Sequence, residues 1–124
     1  MKFTKMHGAG NDYIYFDCLD TGEACGLADP RQLSVRLSDR HYGIGGDGIV
    51  LICPSNVADL KMRMFNADGS EGKMCGNAIR CVAKYAYDRG IVKRDLMHVE
   101  TLSGIKEIKI FFEKGKVFRA TVNM

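Results

Sequence analysis

The amino-acid sequence predicts an α+β domain in which a mostly antiparallel sheet wraps around a central helix. Three observations predict it. Strand-like runs, apolar or alternating, recur along the chain; one segment, residues 77–90, carries apolar residues at helical spacing; and strands do not alternate regularly with helices, as a doubly wound parallel sheet requires. At 124 residues there is room for one domain, 1–124, with an adequate core and none for a second.

Residues 2–6, KFTKM, form a short strand, and after the glycine-rich HGAGND the aromatic and β-branched run YIYFDC at 13–18 forms another. Asp29 is an N-cap and Pro30 a first helical position. RQLSVRLSDRHYG continues as a helix with Leu33 and Leu37 on one side and Gly43 as its end. GIVLIC at 48–53 is an apolar strand. LKMRMFN, from Leu60, alternates long apolar with basic residues as a half-buried strand does, and NADGSEGK follows as a loop. Ile79, Val82, Ala83 and Ala86 then fall at i, i+3, i+4 and i+7, and Gly90 stands where a C-cap glycine belongs. Beyond this helix MHVETL, IKEIKIFF and KVFRATVNM form three strands, with turns at Ser103-Gly104 and Lys114-Gly115. The reading gives seven strands and two helices, and the last strand stops at Met124 as a chain cut at a domain boundary would.

Composition narrows the function classes. The chain is 46% hydrophobic and 27% charged with two prolines, an ordinary globular balance. Its net charge is +3 and its basic residues are scattered among acidic ones, so it lacks the Lys/Arg stripe of a nucleic-acid face and suits a small ligand better. No apolar run approaches the roughly 20 residues of a membrane span, and MKFTKMHGAGND is no signal peptide, so a cytoplasmic location is expected. The five cysteines, Cys18, Cys25, Cys53, Cys75 and Cys81, include no C-x-x-C, which argues against a disulfide framework and a zinc knuckle. Most are expected to be reduced thiols, with Cys18 and Cys53 as small buried residues.

Cys75 differs from these. In KMCGNAIRC it stands where a helix begins, beside Gly76, which opens the backbone to a ligand, and near unpaired N–H groups at the positive end of a helix dipole. Those features favour a thiolate over an ordinary thiol, whose pKa is near ~8.5. Cys81 is expected to point elsewhere on the helix and to pack. GIGGDG at 43–48 matches G-x-G-x-x-G formally, but it follows a helix and opens a strand, the reverse of a dinucleotide site. It reads as a sharp turn that brings backbone close to a ligand or as a plain helix-to-strand connection. NADGSEG at 66–72 offers side-chain donors and acceptors just before the thiol. Asn11, between glycines and a strand, can present its amide unobstructed. His7 and His41 have no partner by spacing and receive no catalytic role.

KMHGAGNDYIYFD, RHYGIGGDGIVLI, MFNADGSEGKMCGNAIRCVAKY and TVNM, in this order, resemble the amino-terminal half of the diaminopimelate epimerase family. The resemblance implies one half of a two-domain fold with the active site in the cleft between pseudo-symmetric halves. It implies a cofactor-free isomerase that converts LL-diaminopimelate to the meso isomer, in lysine and peptidoglycan precursor synthesis, with one catalytic cysteine from each half. Cys75 looks like the first. Gly76 and Asn77 would supply backbone donors to the substrate, and Asn11 and Asn66 side-chain contacts; where some members carry Gln after GIGxD this chain has Gly48. The second cysteine lies in a carboxy-terminal half that this chain lacks, so the isolated chain is expected to be inactive. A homodimer in which two copies of Cys75 face each other is a third arrangement. The runner-up functions are racemisation of another amino acid on the same fold and a non-catalytic ligand-binding or assembly domain.

Overall fold

A computed structural model of the chain describes residues 3–8, 11–19, 29–41, 43–113 and 116–123. The strands are β1 (Thr4–Gly8), β2 (Asn11–Asp17), β3 (Gly48–Cys53), β4 (Leu60–Asn66), β5 (Glu71–Gly72), β6 (Leu96–Thr101), β7 (Gly104–Glu113) and β8 (Lys116–Asn123); the helices are α1 (Pro30–Ser38) and α2 (Gly76–Asp88). They form one sheet in the order β1-β2-β3-β4-β6-β7-β8, with β5 also paired to β4.

The unbroken apolar run of β3 has a direct cause. All six of its residues are buried, Ile49, Leu51 and Cys53 toward α1 and Val50 and Ile52 toward α2. A strand covered on both faces needs no alternation. β4 keeps the alternation predicted for it, with Leu60, Met62 and Met64 buried on the α2 side and Lys61 and Arg63 half-buried. Gly48 is required by space, since a Cβ there would lie 2.1 Å from the Phe65 carbonyl oxygen on the neighbouring strand.

Five of the seven strand pairings are antiparallel, which agrees with the expected sheet. The other two, β2 with β3 and β4 with β6, are parallel. Parallel neighbours need a crossover, and each helix supplies one in chain order, α1 between β2 and β3 and α2 between β4 and β6. The two helices sit on opposite faces: α1 packs on β3 and β4, and α2 meets β1 and β2 from one end of the strand order and β7 and β8 from the other. The fold is a mixed α+β half-barrel.

The helix signals hold closely. The Asp29 side chain accepts from the N–H groups of Arg31 and Gln32, and Pro30 opens α1. Ile79, Val82, Ala83 and Ala86 are all fully buried, and Gly90, at φ +69°, closes α2 in the left-handed conformation that favours glycine. Three expectations need correction. α1 ends at Ser38 and not at Gly43, because Asp39 is extended and the N–H groups of Gly45 and Gly46 cap the carbonyls of Leu37 and Ser38 at 2.8 and 3.2 Å. The loop after β4 holds the short strand β5, where Glu71 is held by the bidentate Arg63 guanidinium at 3.0 and 3.2 Å. Cys18 is disulfide-bonded, where a reduced thiol was expected; its partner lies outside the described residues.

No helix among the described residues is long and apolar enough to cross a membrane, and no grouping of side chains among them could hold a metal ion.

Candidate active site

The sheet register gathers one end of three strands. Tyr13, near the start of β2, pairs with Gly48 at the start of β3, and Gly48 pairs with Asn66 at the end of β4. Asn11 opens β2 two residues before Tyr13, at the same end; its side chain lies outside the described residues. Two backbone bonds clasp this corner: the Asp12 N–H donates to Asp47 Oδ2 at 2.7 Å, and the Asp47 N–H to the Asp12 carbonyl at 2.6 Å. Arg40 faces both carboxylates at 3.7 and 3.5 Å, and Lys5 reaches Asp12 at 3.1 Å. GIGGDG therefore connects helix to strand, caps α1 and anchors the backbone beside Asn11.

Asn66 is equally constrained. Its carbonyl accepts from Ser34 Oγ at 2.7 Å, its N–H donates to the Ser70 carbonyl at 2.8 Å and its Nδ2 donates to Ser70 Oγ at 3.1 Å. Ser70 in turn donates from Oγ and N–H to Asp68 Oδ1 at 2.6 and 2.9 Å, and these bonds hold the Asp68 carboxyl below the ordinary range. The turn thus fixes the Asn66 amide with Oδ1 as its remaining acceptor.

Cys75 is the N-cap residue of α2, half-buried, with extended backbone at φ −141° and ψ 118°. Its carbonyl accepts the first helical bond, from Ile79 N–H at 3.0 Å. Its sulfur makes no capping bond to the helix amides, so the first-turn N–H groups, Gly76 and Asn77 among them, keep their donor capacity beside the thiol. Gly76 is not demanded by the backbone or by packing: its φ is not positive, and the nearest atom to an added Cβ would be Arg80 Nη1, 3.8 Å away. The space above the helix start is open. Arg80 also donates to Asn77 Oδ1 at 3.1 Å, holding a guanidinium at this end of α2.

Sequence reasoning missed the tyrosines of β2. Tyr13 and Tyr15 project from one face of the strand into the α2 cluster, their rings edge-to-face at 6.4 Å and 81°. Side-chain hydrogen bonds join Tyr13 to Cys75 and Tyr15 to Cys81. Burial first, then Cys75 and Asp47, push the Tyr13 hydroxyl up to about 12; burial and Cys81 push Tyr15 well above the ordinary tyrosine value. Burial also pushes the Cys81 thiol up, against the opposing bond from Tyr15. Cys81 packs against the cluster as expected and meets Tyr15 there. The usable signal was the spacing of Tyr13 and Tyr15, which places both on the same strand face.

The fold is shared with solved structures of a racemase and an epimerase. The structure superposes on a probable proline racemase from Agrobacterium radiobacter with a TM-score of 0.74 at 18% identity, covering 98% of this chain and 41% of that one. A hydroxyproline epimerase from Agrobacterium vitis gives 0.72 at 15% identity over 98% of this chain and 40% of its own. At such identities the likeness is one of fold. The sequence is more specific: the model of the diaminopimelate epimerase family matches residues 3–124, and the chain belongs to that family. It is 55% identical over 124 residues to the diaminopimelate epimerase of Methanococcus maripaludis and 56% identical to that of Brachyspira hyodysenteriae. These alignments cover the whole of this chain but 43% and 44% of those proteins, so the chain spans a little over two fifths of the length of its relatives.

Proposed function

We propose that this chain supplies one half of the active site of a cofactor-independent diaminopimelate epimerase, with Cys75 as one of two acid/base thiols. The carrying observation is the half-buried Cys75 at the start of α2, its sulfur uncommitted to the helix amides and its neighbour Gly76 open to a ligand. The sheet, curving round α2, forms one wall of the cleft. Gly76 and Asn77 direct backbone N–H groups at the substrate α-carboxylate, where negative charge grows as the α-proton leaves. Asn11 and Asn66 hold the substrate through their amides. A thiolate removes the α-proton from one face, and a thiol from the remaining length of such an enzyme, which this chain does not span, returns a proton to the other. The product, meso-diaminopimelate, serves lysine and peptidoglycan precursor synthesis.

One thiol cannot invert a centre, because returning its own proton regenerates the starting stereoisomer. An open half-cleft also admits water, which weakens every fixed dipole in it. The isolated chain is therefore expected to bind diaminopimelate weakly and not to epimerise it. The test is α-proton exchange of the LL isomer in deuterated water, with chiral analysis and protein concentration varied. Turnover to the meso isomer, linear in protein from a monomer, would sink the half-site reading; turnover rising as the square of concentration would point to two copies of Cys75 meeting in a dimer. In a chain extended through the second half, Cys75→Ala should abolish epimerisation with the fold intact. Activity on proline and none on diaminopimelate would instead favour a racemase of another amino acid.

A further inference from the structure

We propose that Ser70 and Asp68 are positioning residues for Asn66: a one-way run of hydrogen bonds, from the Asn66 amide to the Ser70 hydroxyl to the Asp68 carboxylate, fixes which end of that amide a ligand meets. This deepens the proposed function and rests on its placing of Asn66 against the substrate. The direction of the run follows from counting protons. A serine hydroxyl has one proton to give, and Ser70 Oγ lies 2.6 Å from Asp68 Oδ1, the distance of a charge-assisted bond to a group that only accepts. Ser70 therefore shows Asn66 a lone pair. The Asn66 atom 3.1 Å from Ser70 Oγ is then the donor Nδ2, because Oδ1 in that place would set two acceptors against each other. Oδ1 is left to accept an N–H group from a ligand.

Closing the turn does not require these side-chain bonds. The backbone closes it, with Asn66 N–H donating to the Ser70 carbonyl at 2.8 Å and Gly69 N–H to the Asn66 carbonyl at 2.9 Å, while Asp68 Oδ1 accepts from Ser70 N–H at 2.9 Å. α1 holds the turn as well. The buried Ser34 hydroxyl reaches the Phe65 and Asn66 carbonyls at 3.1 and 2.7 Å, and a Cβ on Gly69 would lie 3.0 Å from Val35 Cγ2 and 3.1 Å from the Arg31 carbonyl oxygen. With the backbone fixed in this way, what the Ser70 hydroxyl still constrains is the rotation of the Asn66 side chain. The bonds to Ser70 hold the Asp68 carboxyl below the ordinary range, so it remains an acceptor at neutral pH and the run does not reverse. Asn66 pairs with Gly48, at the strand end that also carries Tyr13 and Asn11, so the fixed amide belongs to the candidate site.

The alternative is a plain polar turn whose side chains bond one another with no effect on a ligand. Side-chain amide NMR of Asn66 in the 124-residue chain, at neutral pH, separates the two. Asp68→Asn keeps an acceptor for the Ser70 N–H but removes the charge that holds the Ser70 proton, so the Asn66 Nδ2 signals should move. The same substitution should move them in a Ser70→Thr background, which keeps a hydroxyl, and leave them in place in a Ser70→Ala background, which has none. No movement, or equal movement in both backgrounds, would overturn the proposal. The backbone amide signals of Asn66 and Gly69 check that the turn stays closed. A second measurement reads the ligand: in a chain extended through the second half, Ser70→Ala should raise KM for LL-diaminopimelate about 3–10-fold, the worth of one ordinary hydrogen bond, with kcat little changed. Ser70→Thr should restore it. A fall in kcat that Ser70→Thr does not restore would mark a structural role and overturn the proposal, as would an unchanged KM in Ser70→Ala beside a raised one in Asn66→Ala. An unchanged KM in both would instead sink the placing of Asn66 against the substrate, whatever Ser70 does.

Discussion

The two faces of β2 are built from similar bulk and differ in chemistry. Toward α1 the strand presents Ile14 and Phe16, which join Leu33, Ile49, Leu51 and Phe65 in a cluster that is almost wholly hydrocarbon. Toward α2 it presents Tyr13 and Tyr15, with rings as deeply buried but with hydroxyls that end on Cys75 and Cys81. One strand thus anchors the domain on one side and carries the candidate site on the other. The lesson is that burial and function separate by a period of two along a strand, so changes on one face should be silent on the other.

The largest expected break of that comparison comes from the hydrocarbon face. Phe16 is 1% exposed, and Phe16→Ala should cost about 3–5 kcal/mol in urea denaturation through lost transfer energy and the cavity left behind. In the fraction that stays folded, the pH profile of Cys75 alkylation should match the parent's. A changed profile would show that the two faces are coupled.

A smaller effect should mark the tyrosine face. Tyr13 is raised from 10.0 to about 12 in the folded chain, and an unfolded tyrosine loses its proton first. Above about pH 10 the native state therefore binds more protons than the unfolded state, and the stability present at lower pH is lost as pH rises toward 12, at about 1.4 kcal/mol per pH unit for each such proton. Denaturation between these values should show that fall, and Tyr13→Phe or Tyr15→Phe should flatten it; Phe16→Ala should leave its slope unchanged.

The smallest stability effect belongs to Gly76→Ala. A methyl group there meets nothing closer than Arg80 Nη1 at 3.8 Å, so stability should change by less than about 0.5 kcal/mol. Alkylation of Cys75 by a bulky maleimide should nevertheless slow relative to iodoacetamide. Equal slowing of both reagents, or none, would show that the space over the helix start is not the path to the thiol.

Much of this was legible in the sequence because the signals are local. The N-cap at Asp29, the apolar face of α2, the Gly90 cap and the doubly buried run of β3 each follow from a few consecutive residues and the period of their element. Cys75 at the start of α2 and the tight turn after Asn66 were legible for the same reason. The end of α1 was not, because the groups that close it come from Gly45 and Gly46, beyond a break in the helix. Nor was the short strand β5, whose existence depends on β4 lying beside it.

By itself, then, the sequence determined both helices, every described strand but β5, the apolar faces and the place of a thiol at a helix start, since backbone propensity, capping and periodicity act over a few residues. Only the tertiary structure decided what that thiol meets. Tyr13 and Cys75 are 62 positions apart, and no local rule links them. They touch because the parallel pairing of β2 with β3 and the crossover through α2 bring one face of a strand against the first turn of a helix, and there a buried hydroxyl must find an acceptor.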